Sequence, residues 1–396
     1  MAQQRIIAQK FGGTSVATGE RRQRVIGHIK RAIDEGFRPA VVVSAMGRRG
    51  DPYATDTLLD LLAAEGTPLS GRDYDFIFQA GEIVSVALMA HLLRLNGIPA
   101  AGLTGAQAGI QTNGRHKRAE IVNIDTTRLL HHIAQGEVPV VTGGQGVSTD
   151  GDVNILGRGG SDTSGVAVGV ALGAEKVEVY SDVPGIAMAD PRVVPGVRFL
   201  DVISYAKIYE MGRYGAKVIH PRAVRVGQEG GTPIACRSTF EDGPGTLITD
   251  TEDEQPLVGI CALGPVDLLI LDEELVSDAD LEGLYERLGV MALRDQTARQ
   301  VVLAVEPGWR RELEETLSAK ELPPEGALSD RSLVSLVGAA GFIEESFPRV
   351  EAILAKQGVE VCFGERAERR STFAVHASES SGAVQTLYES LVVQAN

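Results

Sequence analysis

Cysteine is scarce: Cys236, Cys261 and Cys362 are the only three in 396 residues, and they lie far apart. They form neither a disulfide framework nor a metal-ligand spacing, and they fit a reducing compartment. His131 and His132 are adjacent, so on a helix they point about 100° apart and chelate poorly. No zinc site is expected. Uninterrupted apolar runs are short of the ~18–20 residues a membrane span needs. The start, MAQQRIIAQKFGG, has neither a hydrophobic signal core nor a cleavage site. A cytoplasmic protein without membrane contact is expected. Positive charge is also in deficit. The net charge of −15 opposes a nucleic-acid partner, which asks for a basic surface. The basic cluster Arg21, Arg22, Arg24, Lys30 and Arg31 is interleaved with Val25, Ile26, Ile29 and Ile33 at helical spacing, as on a solvated helix face. Three motif sets are missing as well. There is no GxxxxGK[ST], no GxGxxG followed by a spaced acidic residue, and no HRD or DFG. Walker NTPases, Rossmann dehydrogenases and protein kinases are thereby disfavoured.

What is present is an alternation of strand and helix signals over roughly the first 250 residues, as in a parallel α/β sheet. Ile6 to Gln9, Ala40 to Val43, Val138 to Val141 and Val177 to Tyr180 read as strands. Continuous apolar runs of this kind are buried on both faces. A helix is expected from Glu20 to Glu35 and another from Val166 to Ala174. The acidic, apolar-poor run Thr249 to Pro256, with Asp250, Glu252, Asp253 and Glu254, reads as a domain boundary.

Behind it the element order repeats. One unit has strands at Val266–Leu271, Val290–Arg294 and Gln300–Val305, with helices at Asp278–Arg287 and Trp309–Ser318. The next has strands at Ser332–Val337, Val359–Phe363 and Thr372–Val375, with helices at Ile343–Gln357 and Gly382–Val392. Each is βαββα, one strand short of a ferredoxin-like module, so each is expected to complete its sheet with the other.

Four segments carry chemistry. KFGGTS, Lys10 to Ser15, sits between a strand and a helix. Two glycines there let backbone N–H groups approach phosphate, and a lysine adds a mobile cation. SAMG, Ser44 to Gly47, ends another buried strand, where ligands of open sheets collect. GRGGSDTSG, Gly157 to Gly165, opens a helix that Ser161 or Asp162 is expected to cap. Arg158 there offers a fork suited to a carboxylate. Finally YSDVPGIAMADPR and GAKVIHPRAV place Ser181, Asp182, Asp190, Arg192 and Lys217 as candidates for a nucleotide pocket.

KFGGTSV, SAMG, QAGEIVS (Gln79 to Ser85), GRGGSDTS, ADPR and GAKVIHPRAV together resemble the aspartokinase family of the amino-acid kinase fold. The resemblance implies an open, mostly parallel α/β catalytic domain at residues 1–248. Two ACT-like α+β modules follow at 257–328 and 329–396, with strands exchanged between them. It implies ATP-dependent phosphorylation of the L-aspartate side-chain carboxylate. Lys10, Gly12, Gly13 and Ser44 would hold ATP phosphates. Ser181, Asp182, Asp190, Arg192 and Lys217 would surround the nucleotide. Thr55, Glu82 and Arg158 would bind aspartate, Glu82 at the amino group and Arg158 at a carboxylate. Gly159, Gly160 and Ser161 would line the junction of the substrates, and Asp162 would orient Lys10. The catalytic set is thus Lys10, Asp162 and Lys217. Magnesium would ride on the ATP phosphates without a dedicated protein site.

The chain departs from the family pattern at Gly144, where a bulky residue is usual, and at Met188, where threonine is. The loop Asp272 to Asp280 lacks a proline-glycine turn. Its carboxylates favour an effector's ammonium groups, while Gly338 and Gly341 offer backbone N–H groups to a carboxylate. An amino-acid effector such as lysine, threonine or diaminopimelate, and a homodimer or larger assembly joined through the tail, are expected. The rival readings are another amino-acid kinase of this fold and a non-catalytic sensor.

Overall fold

The apolar runs Ile6–Phe11, Arg38–Val43, Val138–Thr142 and Lys176–Ser181 lie in one eight-stranded sheet. The structure is a computed structural model that describes residues 5–251, 255–295 and 298–393. Glu252, Asp253 and Glu254 of the expected boundary lie outside the described residues. In order across the sheet the strands are Val202–Ser204, Thr246–Thr249, Ile234–Ser238, Lys176–Ser181, Ile6–Phe11, Arg38–Val43, Val138–Thr142 and Ala100–Leu103. Neighbours run parallel except Ile234–Ser238 against Thr246–Thr249. Val41, Val42 and Val43 are fully covered, each such side chain contributing roughly 1.5–3 kcal/mol.

One face of the sheet packs on helices Gly19–Asp34 and Gly71–Leu95 through Val25, Ile29, Met89 and Leu93. The other face packs on Thr127–Ala134 and Gly160–Ala171 through Leu129, Ile133 and Val168. A smaller sheet, Ile121–Ile124, Ile110–Thr112, Gln145–Val147 and Val153–Ile155, lies in the same unit. Among the described residues, one helix, Gly71–Leu95, is long and apolar enough to cross a membrane by length and composition. A count of uninterrupted apolar residues misses it, because Gln79, Gly81 and Glu82 break the run. It carries the buried carboxylates Asp75 and Glu82.

The chain forms two compact units. The first comprises Met1–Ile186, Phe199–Ile208 and Lys217–Glu252, and the second Ala187–Arg198, Tyr209–Ala216 and Asp253–Asn396. The span expected as catalytic therefore contributes two segments to the second unit. Ile260 N donates to Met188 O at 2.6 Å, and Met211 packs where a side chain on Gly259 would otherwise go.

The second unit is an antiparallel sheet ordered Met291–Asp295, Gln300–Val305, Leu257–Asp272, Gly326–Gly338, Arg370–His376 and Phe363–Arg366. Its two central strands are long and each serves both repeats. The first repeat takes residues 326–331 as its fourth strand, against 266–270. The second repeat takes residues 257–263, which pair with 333–338. Bulges between Leu263 and Val266 mark the crossing from one repeat to the other. Helices Asp278–Leu288 and Arg310–Ala319 cover the first repeat through Leu284, Leu288, Leu313 and Leu317. Helices Ala340–Lys356 and Ser380–Tyr388 belong to the second repeat.

Candidate active site

The first unit gathers its candidate residues where the strands Ile6–Phe11 and Arg38–Val43 end. Helix Gly160–Ala171 lies close against the first of these strands. A side chain on Gly165 would stand 2.8 Å from Lys10 Cβ, so a glycine there admits the lysine between helix and strand. Lys10 is buried, and its Nζ lies 2.5 Å from Asp162 Oδ1. That helix begins differently from the sequence expectation. Neither Ser161 nor Asp162 caps it. The cap is Gly159, with φ 65° and no side-chain hydrogen bond, because the His220 ring occupies the place a side chain on residue 159 would take. Asp162 sits in the first turn, a favourable place for an anion, with its carboxylate turned to Lys10.

The other motifs interlock. Gly13 lies so close to the Ala45 carbonyl that an added Cβ would be 2.6 Å away. Ser44 Oγ donates to Ser161 Oγ at 2.9 Å. Gly12 N donates to Tyr180 O at 3.2 Å, which joins the glycine loop to the strand that ends in Ser181. Ser181 O accepts from Thr239 N at 2.8 Å. Asp182 and Lys217 are exposed.

Glu82 is the outlier. It is buried on helix Gly71–Leu95, and burial pushes its carboxyl up to about 8, opposed only by backbone hydrogen bonds at Glu82 and Ala45. Its Oε2 finds no partner among the described residues, and neither do the buried hydroxyls of Thr55 and Ser85. Thr55 begins helix Thr55–Glu65, and its Oγ1 faces Gly81 at a distance that leaves no space for a Cβ. Buried polar atoms are nearly always satisfied, so orphaned ones next to an anion mark a place for a cationic or hydrogen-bonding ligand.

Two neighbours of the GRGG turn escaped the sequence reading. Arg222 Nη2 donates to Arg158 O at 2.9 Å and also to Leu156 O. His220 caps helix Pro221–Glu229, and burial and the Arg222 charge lower its pKa to about 4 against the pull of Asp162. Both belong to GAKVIHPRAV, whose packing against residues 156–159 joins segments some sixty residues apart and leaves no local signal.

Two sets of candidates lie elsewhere. Asp190 and Arg192 fall in the second unit, where they pair with each other through Arg192 Nη2 and Asp190 Oδ2 at 2.5 Å. Gly338 N donates to Arg369 O at 3.0 Å, and Ala339 N to Pro256 O at 2.8 Å. Gly338 therefore does not offer its N–H to an effector carboxylate, because a strand connection already uses it. Gly341 lies in the first turn of helix Ala340–Lys356.

The arrangement defines a class. A lysine held by an aspartate beside a glycine loop, in the same unit as a buried carboxyl with an unsatisfied oxygen, can bring a phosphoryl donor to an amine-bearing acceptor. The amino acid kinase family model matches residues 5–238, and the chain belongs to that family. Within it, the chain is a member of the aspartokinases. It is 36% identical to the aspartokinase of Geobacillus stearothermophilus, a match covering 97% of this chain and 96% of that protein. It is 47% identical to aspartokinase 1 of Bacillus subtilis (strain 168) over 62% of this chain and 61% of that protein. In fold it resembles E. coli aspartokinase III in complex with aspartate and ADP, with a TM-score of 0.82, 23% identity, and coverage of 98% of this chain and 100% of that one.

Proposed function

We propose that the chain transfers the γ-phosphoryl group of ATP to the side-chain carboxylate of L-aspartate, giving 4-phospho-L-aspartate. The observation that carries this reading is the pairing of two opposite environments: a buried lysine locked to Asp162, and a buried Glu82 with an unsatisfied oxygen. The first suits phosphate, the second an ammonium group.

The acceptor is a carboxylate with an ordinary pKa near ~3.9, so no general base is needed. The protein's task is to hold two anions in line and neutralise the transferring group. Lys10 meets the moving charge, Asp162 keeps its Nζ in place, and Lys217 adds a second cation. Gly12, Gly13 and Ser44 hold phosphates through backbone and hydroxyl groups, with Ser181 and Asp182 toward the nucleotide. Glu82 and Thr55 take the substrate amine and Arg158 a carboxylate, while Gly159, Gly160 and Ser161 line the junction. Among the described residues no group of three or more His, Cys, Asp or Glu side chains could hold a metal. Magnesium would ride on phosphate oxygens, the usual habit of this ion. Bound there, it supplies neutralising charge.

The tail is read as a regulatory and dimerising module for an amino-acid effector of the lysine, threonine or diaminopimelate type. All three cysteines are free thiols, in keeping with a cytoplasmic enzyme. The test is ATP turnover with aspartate, glutamate and N-acetylglutamate, trapping acyl phosphate as hydroxamate. Product from aspartate is expected. Product only from the others sinks the reading. Titration of each effector at subsaturating aspartate tests the regulatory part, and light scattering tests the dimer.

A further inference from the structure

We propose that Asp75 is a positioning residue for the aspartate site, holding the Gly157–Arg158 corner at a set distance from Glu82. The inference rests on the reading that Glu82 and Arg158 grip the two ends of the acceptor.

Asp75 and Glu82 are seven residues apart on helix Gly71–Leu95. They therefore share a face, two turns and about 10.5 Å along the axis. Both are buried, yet only Asp75 is fully answered. It accepts from Lys117 N at 2.9 and 3.1 Å and lies 2.8 Å from His116 Nδ1. Asn154 Nδ2 lies 3.1 Å from the same His116 nitrogen, and Asn154 Oδ1 accepts from Thr112 Oγ1 at 2.8 Å. One carboxylate thus ties the helix to the 113–119 loop.

The clamp continues to Arg158. Lys117 is held at φ 66°, a conformation rare for residues other than glycine, and the bonds from its N–H to Asp75 help hold it there. Its carbonyl then abuts Gly157, where an added Cβ would stand 2.8 Å from it. Ala119 N donates to Ile155 O at 2.9 Å. On the opposite side Arg222 holds the carbonyls of Leu156 and Arg158. The corner that carries Arg158 is wedged between Lys117 and Arg222, and Lys117 is fixed by the helix that bears Glu82. The spacing between the two grips is thereby built into one helix. Aspartate and glutamate differ by one methylene, and a fixed spacing is what separates them.

Asp75→Asn keeps the shape and one acceptor while removing the charge. In the full chain it is expected to raise the KM for aspartate about tenfold while the KM for ATP stays within about twofold. The ratio of kcat/KM for aspartate over glutamate is expected to fall by about tenfold as well. His116→Ala leaves both Lys117 contacts and is expected to shift the same quantities in the same direction by less. An unmoved KM for aspartate in folded Asp75→Asn overturns the inference, as does an equal rise in both KM values, which is what general loosening gives. If circular dichroism shows that Asp75→Asn does not fold, His116→Ala decides by the same readout. Wild-type turnover is measured first. No hydroxamate from aspartate there brings down the substrate reading and this inference with it. A normal wild type with unmoved variants overturns this inference alone.

Discussion

Glu178 and Glu82 are buried carboxylates of the same unit, one in the central sheet and one on a covering helix, and they meet burial in opposite ways. Glu178 receives hydrogen bonds from Gln9 Nε2 at 2.9 Å, Tyr180 Oη at 2.9 Å and Arg237 Nη1 at 2.7 Å, and Lys176 Nζ lies 2.9 Å away. Burial alone would raise its pKa. The bonds from Gln9 and Lys176, with the charges of Lys176 and Arg237, outweigh burial and hold it at about 2. Glu82 has backbone contacts only, and burial wins. The contrast separates structure from function: a compensated charge stiffens the sheet, whereas an uncompensated one is tolerated where a ligand supplies the missing partner. The Lys10–Asp162 pair stands between the two, a closed pair beside the glycine loop.

The comparison breaks most severely at Lys10. Lys10→Ala turns Asp162 into a second unpaired carboxylate and removes the cation from the phosphoryl path. A loss in kcat of about a thousandfold is expected, on the order of 4 kcal/mol. Steady-state kinetics check it, and near-normal kcat would refute the role. Glu178→Gln strands Arg237 and Lys176. Urea unfolding is expected to show a loss of about 3 kcal/mol, with the KM for aspartate unmoved in the folded protein. Glu82→Gln inverts that pattern. It is expected to lower kcat/KM for aspartate about a hundredfold, while stability at pH 8 rises on the order of 4 kcal/mol. A variant that loses both stability and activity would show Glu82 to be structural.

The smallest effect is the pH slope. The Glu82 pKa is raised on folding from 4.5 to about 8, so the native state holds a proton that the unfolded chain has released. Its contribution is full below pH 4.5 and is lost as pH rises toward 8, with a slope of about 1.4 kcal/mol per pH unit. Glu178 works the other way. Its contribution is present above pH 4.5 and is lost as pH falls toward 2. Unfolding titrations of wild type and Glu82→Gln from pH 5 to 8 should differ in slope by about that amount.

Much of this was legible in the sequence, and the exceptions have physical reasons. The sheet strands announced themselves because Ala40 to Val43 and its counterparts are apolar on both faces. Glu178 and Tyr180, two apart on a strand, share a face, so their contact was also readable in principle. The start of helix Gly160–Ala171 was misplaced because its cap is a left-handed glycine, which carries no side-chain signal. The strand expected at Val359–Phe363 forms instead at Phe363–Arg366. Val359 N is taken by Leu354 O in closing the preceding helix. The availability of Gly338 could not be read, because its partner Arg369 lies on a distant segment. The strand from Leu257 to Ala262 is not legible for the same reason: its partners lie 72 to 81 residues ahead, and local pattern carries no trace of them.

That last separation also sets a timetable for synthesis. Leu257 pairs with Gly338 and Ala262 with Val334, so the strand that opens the second unit leaves the ribosome long before its partner exists. At roughly 5–20 residues per second, the wait lasts several seconds. Throughout it Leu257, Val258 and Ile260, all buried in the finished protein, stand as an open apolar edge of the kind that invites wrong pairing. The tail cannot close this sheet until translation has passed residue 338. A message cut short between residues 270 and 338 would release a chain that carries all of the first unit and a strand without its partner.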